Sequence, residues 1–566
     1  MTSRQAAPRI REAGDSALLL QLEAVIDPAV NARAIAIARV VREAAMRGVR
    51  DVVSTYRSVA VYFDPLVVKA DAVRAALMRA QEVAEAAPAP EPSHAVVEIP
   101  VVYGGDSGPD LDEVAAFAGL TPLQVIDRHA AAIYRVFVLG FLPGFPYMGT
   151  VAPEIAMPRR PTPRVRVPRG SVGIAGAQTG VYPVQSPGGW QIIGRTPMTL
   201  FDSQRTPPAR LAPGDRVRFV PSHVGKDSHF GPPEGGPHEA RRGGPSGPPA
   251  PGRRVTVLRP GLFTTIQDTG RWGHQGEGVP VGGAMDLTAH RIANALVENA
   301  PEAATLEATL IGPELRLEQD TTVAVSGADL SATVDGTSIR LHHAVFCRRG
   351  SVVRFGSRRS GARAYIAFDG GIDAPPVLGS RATHVRSGLG GLDGRALAAN
   401  DQLPLGPPRV ASPVRIESML SGLSRRSLLA KADGVRVRVL PGPQDDCFPP
   451  QAMERLQRTR FVVASQSDRM GYRLQGGLLP RLDGREMISD ATFAGAIQVT
   501  SSGEPILLMA DRQTIGGYPQ LAIVITADLP RAGQLGPGDW IEFELCTVAD
   551  ALEALADQEG ALRVLR

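Results

Sequence analysis

Two segments near the end of the chain each place an arginine beside a carboxylate, a tyrosine and a glycine. A planar guanidinium can hold a carboxylate or phosphate through two parallel hydrogen bonds, and a carboxylate can hold a metal ion or move a proton. Residues 465–473 and 508–519 therefore contain candidates for both tasks. The binding candidates are Arg469, Tyr472, Gln513 and Tyr518, and the catalytic candidates are Asp511 and Arg512. The alternative is a structural salt bridge in each segment.

A third segment, residues 171–196, has a similar character in the first half of the chain. Its small residues allow a backbone to come close to a ligand, and Gln178, Tyr182 and Arg195 could supply hydrogen bonds. The preceding residues 134–149 combine prolines and glycines with aromatic side chains, which suits a preorganised wall for a small ring-shaped ligand. A packed corner of a β-barrel would give the same pattern.

Two further residues are candidates for acid–base catalysis. Asp286 ends the glycine-rich residues 268–286 just before a helical pattern, so it is either a helix N-cap or a functional carboxylate at the helix start. His129 comes just before a predicted strand, where it is either an acid–base group or a histidine at a helix end.

The arginine-rich residues 158–170 leave two interpretations open. Their five arginines could clamp a phosphate or a carboxylate. The alternation of arginine and valine among prolines also describes a protected edge strand.

Several familiar enzyme signatures are missing. The only Gly-Lys pair, Gly225-Lys226, is followed by Asp, so no phosphate-binding P-loop is present. None of the three lysines has the neighbours expected in a biotin carrier or in a Ser-Ser-Lys amidase triad. The three cysteines lie about a hundred residues apart, and we therefore predict no metal site.

The composition is typical of a folded chain with several domains. A chain of 566 residues is too long for one core, and 43% hydrophobic with 21% charged residues are globular values. The net charge of +4 and the thinly spread aromatic residues argue against nucleic acid as a partner. An apolar signal core and an apolar run of about 18 residues are both missing, so we expect a cytoplasmic protein without a membrane partner.

The elements that position the candidates follow from hydrophobic periodicity. The first ~100 residues show the order β-α-β-β-α-β, typical of a ferredoxin-like unit. The predicted strands are 16–22, 49–56, 58–63 and 95–103, and the predicted helices are 28–47 and 70–86. Most of the remaining chain reads as short strands with glycine-rich turns, so we predict a mainly β protein with an α+β N-terminal domain.

This pattern divides the chain into five segments. We predict an α/β ferredoxin-like domain at 1–94, a β-barrel at 95–222, a flexible Gly/Pro-rich linker at 223–253, a β-rich domain at 254–410 and a second β-barrel at 411–566.

A faint internal repeat connects the two halves. Gln178-Thr179 and Tyr182-Pro183 precede Pro213-Gly214-Asp215 in the first half. The second half has Gln513-Thr514 and Tyr518-Pro519, followed by Pro537-Gly538-Asp539. A duplicated barrel would produce this repeat and would place a site between two like domains. Chance similarity of turn sequences is the alternative.

Taken together, these strings resemble the B and C subunits of bacterial ATP-dependent 5-oxoprolinase, a family also described as Kip-type proteins and urea-carboxylase carboxyltransferase domains. The B-type strings are 141–149, 168–197 and 213–215, and the C-type strings are 260–268, 278–286, 370–373, 378–381, 467–473 and 511–519. The resemblance covers nearly the whole chain except the linker. It implies a fusion of both subunits, with a cyclophilin-like β-barrel in each half.

The resemblance also implies a function. The chain would be a component of an enzyme that couples ATP hydrolysis to ring opening of 5-oxo-L-proline to L-glutamate, with ATP and Mg²⁺ as cofactors. Its implied partner is a separate A-type subunit with a LamB/YcsF-like fold, and a homo-oligomer is also compatible. One alternative is the carboxyltransferase component of a biotin-dependent urea-carboxylase-like enzyme. Another is a non-catalytic regulator of a histidine kinase, although joining an inhibitor to its antagonist makes little regulatory sense.

Overall fold

The computed structural model describes residues 9–86, 95–222, 252–408, 434–482 and 487–563. The predicted linker at 223–253 lies outside these ranges except for its last two residues. No helix within them is long and apolar enough to cross a membrane. The described chain is mainly β and contains two closed seven-stranded barrels, which confirms the predicted fold class.

The N-terminal unit is an antiparallel four-stranded sheet, in the order β1-β2-β4-β3, covered by two helices. Its elements are β1 (Arg9–Glu12), β2 (Ala17–Gln21), α1 (Pro28–Glu43), β3 (Val49–Ser54), β4 (Ser58–Phe63) and α2 (Ala70–Ala86). Helix α1 begins where it does because the Asp27 side chain accepts the Ala29 N–H at 2.8 Å and Pro28 occupies its first turn. Its apolar face, including Ile37 and Val41, packs on the sheet.

The sheet differs from the predicted ferredoxin-like unit in one strand. The predicted strand at 95–103 forms, but it enters the following barrel, and β1 takes the place beside β2. Strand β1 was not predicted, because its sequence Arg-Ile-Arg-Glu carries charges at three of four positions. Only Ile10 packs against the core, as an edge strand permits.

Barrel 1 follows, with two helices beside it. Its elements are β5 (Val97–Tyr103), α3 (Leu111–Ala118), α4 (Pro122–Ala131), β6 (Ile133–Leu139), β7 (Pro146–Gly149), β8 (Arg164–Val167), β9 (Ser171–Ala175), β10 (Gln178–Val181), β11 (Ser186–Gly188), β12 (Gln191–Arg195) and β13 (Arg216–Pro221). Strands β8 and β11 form a two-stranded ribbon outside the barrel.

The next domain is a sandwich of a six-stranded and a five-stranded sheet around one apolar core. Its elements are β14 (Arg254–Arg259), β15 (Phe263–Gln267), α5 (Leu287–Leu296), β16 (Thr305–Thr309), β17 (Glu314–Leu317), β18 (Thr321–Asp329), β19 (Thr333–Val334), β20 (Thr337–Ser338), β21 (Ala344–Cys347), β22 (Val352–Arg354), β23 (Ser360–Phe368) and β24 (Gln402–Pro404). Helix α5 packs on β18 and β23, with Ile292 against Tyr365 and Ala367 in one apolar cluster.

Barrel 2 completes the described chain. Its elements are β25 (Gly434–Pro441), α6 (Pro450–Arg458), β26 (Phe461–Val463), β27 (Gly471–Gln475), β28 (Asp490–Ala491), β29 (Ala496–Val499), β30 (Pro505–Leu508), β31 (Ile515–Gly516), β32 (Gln520–Val524), α7 (Leu529–Gly533), β33 (Trp540–Leu545) and α8 (Val548–Arg563). Strands β28 and β31 form a ribbon outside this barrel as well.

The two barrels have the same topology. Around barrel 1 the strand order is β5-β13-β6-β7-β10-β9-β12, and around barrel 2 it is β25-β33-β26-β27-β30-β29-β32. In each barrel the first and last strands pair in parallel, while the other neighbours are antiparallel. The internal repeat therefore reflects a duplicated barrel.

The repeated Pro-Gly-Asp string forms the same turn in both barrels. The Asp215 carboxylate accepts the Ala212 N–H, and the Asp539 carboxylate accepts the Gly536 N–H, both at 2.8 Å. Each turn leads into the last strand of its barrel. The Gln-Thr strings do not correspond, because Gln178 begins β10 whereas Gln513 lies between β30 and β31.

Candidate functional site

Two candidate residues of the second half, Arg469 and Asp511, meet in one buried ion pair. Arg469 binds both carboxylate oxygens of Asp511, at 2.9 Å from Nε and 2.9 Å from Nη2, and its Nη1 binds Glu307. Burial alone would lower the pKa of Arg469, but Asp511 and Glu307 together raise it above its usual value. Because Glu307 lies on β16, this arginine joins barrel 2 to the sandwich.

Asp286 belongs to the same network and caps helix α5. Its carboxylate accepts the Ala289 N–H at 2.8 Å and the Gln534 amide at 2.7 Å. The Asp286 N–H donates to the Tyr365 hydroxyl at 2.7 Å, which donates to Glu307 at 2.7 Å. Burial raises the pKa of Asp286 to about 6, so its proton can exchange close to neutral pH. Its position makes it an N-cap, and it also lines a small cavity of about 20 Å³.

Tyr472 lies inside the junction between barrel 2 and the sandwich. Its hydroxyl accepts a hydrogen bond from Arg363 Nη1 at 2.8 Å, and the same nitrogen donates to the Gly533 carbonyl at 2.7 Å. Tyr472 is fully buried, and burial raises its pKa. This geometry favours a structural contact over direct contact with a ligand.

A group of two arginines and a histidine, which we call the basic patch, lies beside this network. It consists of Arg271, His384 and Arg386, from two sandwich loops. Among the described residues, Arg271 Nη1, His384 Nδ1 and Arg386 Nε have no hydrogen-bond partner although each atom is buried. Burial lowers the pKa of His384 to about 4, with Asp511 among the charges opposing the shift. The unpaired arginine donors can stabilise a developing oxyanion.

The Arg271 guanidinium is held firmly along one edge. Its Nε donates to the Val377 carbonyl at 2.8 Å and its Nη2 to the Ala382 carbonyl at 2.9 Å. Burial lowers its pKa, against the opposing charges of Asp268 and Asp511. The fixed edge orients the guanidinium, and Nη1 is the donor that the described protein groups leave unused.

The aromatic side chains of the predicted wall pack against one another in barrel 1, and their contact with a ligand stays a prediction. Phe145 packs edge-on against Tyr182 and Trp190, with ring centroids 5.1 and 5.4 Å apart. Ile515 of barrel 2 belongs to the same apolar cluster, and the Arg386 guanidinium lies 5.8 Å from the centre of the Phe141 ring. The wall of barrel 1 therefore meets barrel 2 and the basic patch of the sandwich at one seam, beside the junction that Arg469 forms between barrel 2 and the sandwich.

Two predicted binding residues of barrel 1 contact other parts of the protein. The Gln178 amide donates to the Tyr56 hydroxyl of the N-terminal unit at 2.5 Å. Arg195 Nε donates to the Arg169 carbonyl at 2.8 Å. Since both of these contacts are made with protein groups, a role for either residue in ligand binding stays a prediction.

His129 is enclosed in barrel 1. Its Nδ1 lies 2.8 Å from the Tyr103 hydroxyl and its Nε2 lies 2.9 Å from the Thr179 hydroxyl. Its ring stacks on Phe219 with centroids 4.5 Å apart, and burial lowers its pKa to about 3. A neutral imidazole with both nitrogens occupied favours a packing role, as the helix-end alternative anticipated.

Arg512 lies at a different junction, where Tyr62 and Asp51 of the N-terminal unit are its electrostatic neighbours. Its Nη2 donates to the Gln275 side chain at 3.0 Å and its Nε to the Thr492 carbonyl at 3.4 Å. Burial lowers its pKa. The Gln513 carbonyl accepts the Thr492 hydroxyl, whereas the Tyr518 side chain is 42% exposed. Residues 508–519 therefore contribute to two junctions. Asp511 belongs to the junction between barrel 2 and the sandwich, and Arg512 belongs to the junction with the N-terminal unit.

The arginine-rich segment is used structurally. Arg164 binds both oxygens of the buried Asp110 carboxylate, at 2.8 and 2.5 Å, and Arg160 Nη1 binds it at 3.0 Å. The Ile192 N–H also donates to this carboxylate at 2.6 Å. These contacts fasten the β8–β11 ribbon to barrel 1, which favours the edge-strand interpretation.

Metal ligands do not cluster in the described ranges, where no group of three or more His, Cys, Asp or Glu side chains could hold an ion. Mg²⁺ bound with a nucleotide commonly uses only one or two carboxylates. The described donor set therefore points to no particular metal position.

Sequence reasoning missed Glu307, Arg363 and the basic patch. A signal existed for the first two, because each is a charged residue in a strand whose neighbours are apolar and buried. Arg271 and His384 lie in glycine-rich loops, where a charged residue does not stand out against apolar neighbours. Only long-range folding brings these loops together beside Asp511.

Comparison with known protein families gives two matches. The family described as carboxyltransferase domain, subdomain A and B, matches residues 277–545. The family described as carboxyltransferase domain, subdomain C and D, matches residues 8–211. The two matches lie on either side of the predicted linker.

Two curated relatives correspond to the two halves. The C subunit of 5-oxoprolinase from Escherichia coli (strain K12) is 38% identical over 305 residues, which cover 54% of this chain and 95% of that protein. The B subunit of 5-oxoprolinase from Bacillus subtilis (strain 168) is 41% identical over 220 residues, which cover 38% of this chain and 92% of that protein. Urea amidolyase of Lachancea kluyveri is 33% identical over 330 residues, but these cover 18% of that protein.

Solved structures resemble the chain as well. The crystal structure of TTHA0988 has a TM-score of 0.79 at 34% identity, covering 95% of this chain and 100% of that chain. The urea amidolyase of K. lactis has a TM-score of 0.51 at 30% identity, covering 55% of this chain and 20% of that chain. The arrangement of both halves in one polypeptide therefore recurs in a solved protein.

Proposed function

The chain belongs to the carboxyltransferase-domain family and carries subunits of the B and C type in one polypeptide, and from this premise we propose that it is the B–C component of an ATP-dependent 5-oxoprolinase. The observation that carries the proposal is that one chain spans 92% of a 5-oxoprolinase B subunit and 95% of a 5-oxoprolinase C subunit. The proposed setting is the cytoplasm, together with a separate A-type subunit.

The contacts between the halves support their working as one unit. Asp51 of the N-terminal unit accepts the Gly273 and Gln275 N–H groups, each at 3.0 Å. Ser58 of the same unit hydrogen-bonds the Asp490 carboxylate of barrel 2. Buried hydrogen bonds of this kind hold two specific surfaces in register.

The proposed reaction consumes 5-oxo-L-proline, ATP and two water molecules and gives L-glutamate, ADP and phosphate. ATP would phosphorylate the lactam oxygen, and a first water would attack the activated carbon as the ring C–N bond breaks, which gives an acyl phosphate. A second water would then attack the acyl carbon and release the phosphate. Negative charge develops on oxygen during that attack, and the unpaired donors of Arg271 and Arg386 are suited to stabilise it. No step is assigned to Mg²⁺, because the described residues indicate no site for it.

A second candidate is the carboxyltransferase component of a biotin-dependent enzyme. It is favoured by the 330-residue match to urea amidolyase. In that case biotin would arrive on another chain, and the same basic patch would face a carboxylate being transferred.

The test is a coupled assay of the purified chain with and without its A-type partner. One arm follows glutamate and ADP from 5-oxoproline, ATP and Mg²⁺, and the rival arm contains urea, bicarbonate and a biotin carrier. We expect partner-dependent glutamate formation that falls at least about tenfold in Arg386→Gln, because a charged donor to the developing oxyanion is lost. The matched control is Arg359→Gln, at an arginine that is 67% exposed.

Biotin-dependent carboxyl transfer without glutamate would replace the first candidate by the second. If Arg386→Gln forms glutamate as fast as the native chain, the proposed reaction stands, but the basic patch has no part in it.

A further inference from the structure

Three histidines are buried in the described ranges, and one of them differs from the other two. Both ring nitrogens of His129 lie within hydrogen-bond distance of hydroxyl groups, at 2.8 and 2.9 Å. Those of His290 lie 2.9 Å from the Thr305 hydroxyl and 3.0 Å from the Pro301 carbonyl. His384 is only 3% exposed, yet its Nδ1 has no partner among the described residues. A buried polar atom without a partner requires an explanation, and a catalytic role is one.

The backbone on both sides of His384 is held in place. The Thr383 N–H and hydroxyl both donate to the Ile266 carbonyl of β15, at 2.9 and 3.0 Å. The His384 N–H donates to the Leu389 carbonyl at 2.8 Å, and the Leu389 N–H donates to the His384 carbonyl at 3.2 Å. The imidazole is therefore attached to a fixed loop, which is what a group that moves protons between reacting atoms requires.

Two further polar atoms without partners belong to the same loop. Val385–Ser387 forms a single 3₁₀ turn that begins after His384. Side chains three residues apart in such a turn project from the same side, so the Ser387 side chain lies on the side of His384. Within the described chain, Ser387 Oγ and Arg386 Nε are buried without a partner, as His384 Nδ1 is. A bound water needs about two to four polar partners, and a hydroxyl beside an imidazole nitrogen supplies two.

The surrounding charges keep His384 neutral. Burial lowers the pKa of His384 to about 4, and the Asp511 carboxylate opposes that shift. The positive charges of Arg271, Arg469 and Arg386 add to the lowering. A neutral imidazole keeps one nitrogen that can accept a proton, whereas the arginines beside it stay charged. A base and two cationic donors therefore occur together in the basic patch.

We propose that His384 is the general base of the proposed reaction and that it holds the first attacking water together with Ser387. This assignment rests on the proposed function. As the water oxygen bonds to the activated carbon, His384 takes one water proton and returns it to the ring nitrogen when the C–N bond breaks. The other water proton passes to the released amine as the acyl carbonyl forms. The imidazole therefore ends neutral, and the amine ends as an ammonium group.

The test compares variants of the full chain in the coupled assay with its A-type partner, 5-oxoproline, ATP and Mg²⁺. His384→Gln keeps hydrogen-bonding groups but cannot take up a proton. We expect kcat for glutamate formation to fall at least about 100-fold, as loss of a general base predicts, while KM for 5-oxoproline stays within about twofold. A single turnover should still release ADP as in the native chain, because phosphorylation of the lactam oxygen precedes the impaired step.

A second variant removes the other proposed water partner. Ser387→Ala deletes a hydroxyl that makes no hydrogen bond within the described ranges, so the fold should tolerate the change. We expect kcat to fall about tenfold, because the water loses one hydrogen bond. The matched control is His343→Gln in the same domain, where Nδ1 lies 2.9 Å from the Leu341 carbonyl, and its kcat should equal that of the native chain. In His384→Ala, added imidazole should restore part of the activity, which a purely structural role would not allow.

The outcomes separate this proposal from the proposed function. Glutamate formation by His384→Gln at the native kcat would overturn the role of His384 and leave the proposed function standing. A raised KM with unchanged kcat would also overturn it, because His384 would then only bind substrate. If His384→Gln fails to fold, Ser387→Ala decides, and an unchanged kcat in that variant overturns the proposal. A native chain that forms no glutamate with its partner contradicts the proposed function itself.

Discussion

Barrel 1 and barrel 2 share a strand order but hold different chemistry. Barrel 1 encloses a neutral histidine and presents aromatic side chains such as Phe145 and Trp190. Barrel 2 presents a buried ion pair, Arg469 with Asp511, to the sandwich. Both barrels have the same strand order and the same Pro-Gly-Asp turn before the last strand, while the side chains that they present to neighbouring domains differ. The first copy therefore contributes an apolar wall to the seam, whereas the second uses its charge to hold the sandwich that carries the basic patch.

The strongest test of this contrast removes the charge from barrel 2. Arg469→Met would leave Asp511 and Glu307 buried without their shared partner, and we expect a loss of about 3–5 kcal/mol in the free energy of unfolding. Denaturant unfolding measures the change. Arg473→Met, at an exposed neighbour, is the control. Equal stability of the two variants would show that the ion pair does not hold barrel 2 to the sandwich.

The second test forces the barrels apart at the wall. A Cβ added at Gly140 would stand 2.3 Å from Ile515 Cγ1. Gly140→Ala should therefore cost about 1–3 kcal/mol in the free energy of unfolding, as overpacking does. The same Gly140→Ala change made in an Ile515→Ala background, where the clashing atoms are absent, should cost much less. An equal cost in both backgrounds would show that the glycine is required for a reason other than contact between the barrels.

The smallest expected effect is a pair of opposite pH dependences. Burial lowers the pKa of His129 from 6.5 to about 3. Between these values the unfolded chain binds a proton that the folded chain excludes, so this contribution to stability falls as pH falls. Burial raises the pKa of Asp286 from 3.8 to about 6. The folded chain holds the additional proton there, so this contribution is present below pH 3.8 and is lost as pH rises through 6.

The measurement is the free energy of unfolding at several pH values between about 4 and 6, the window that the two pKa shifts share. His129→Gln should remove a positive slope and Asp286→Asn a negative one, each of at most about 1.4 kcal/mol per pH unit. Slopes that change in the same direction in both variants would contradict the assigned burial of one of these groups.

Local sequence signals predicted much of the fold. The Pro-Gly-Asp turn repeats at Asp215 and Asp539 because each carboxylate caps the backbone only three residues away. Strand β1 escaped prediction because an edge strand needs few apolar residues. The Gln-Thr repeat misled, because similar strings occupy a strand in one barrel and a loop in the other.

The candidate site was predicted in part. Arg469 and Asp511 stood out by residue type, and the structure pairs them. Their partner Glu307 comes from 162 residues earlier in the chain than Arg469, and His384 approaches Asp511 only after the sandwich loops fold. Such pairings depend on the packing of three domains, which no local pattern encodes.

The parallel pairing of first and last strands has a consequence for synthesis of the chain. Val97 of β5 lies opposite Val217 of β13, so barrel 1 cannot close until its last strand has left the ribosome. Contacts this distant in sequence form late and slowly. The surface around Asp51 stays without its hydrogen-bond partners for longer still, because the loop at 273–277 is synthesised later. We therefore expect the nascent N-terminal half to need shielding by chaperones until the second half emerges.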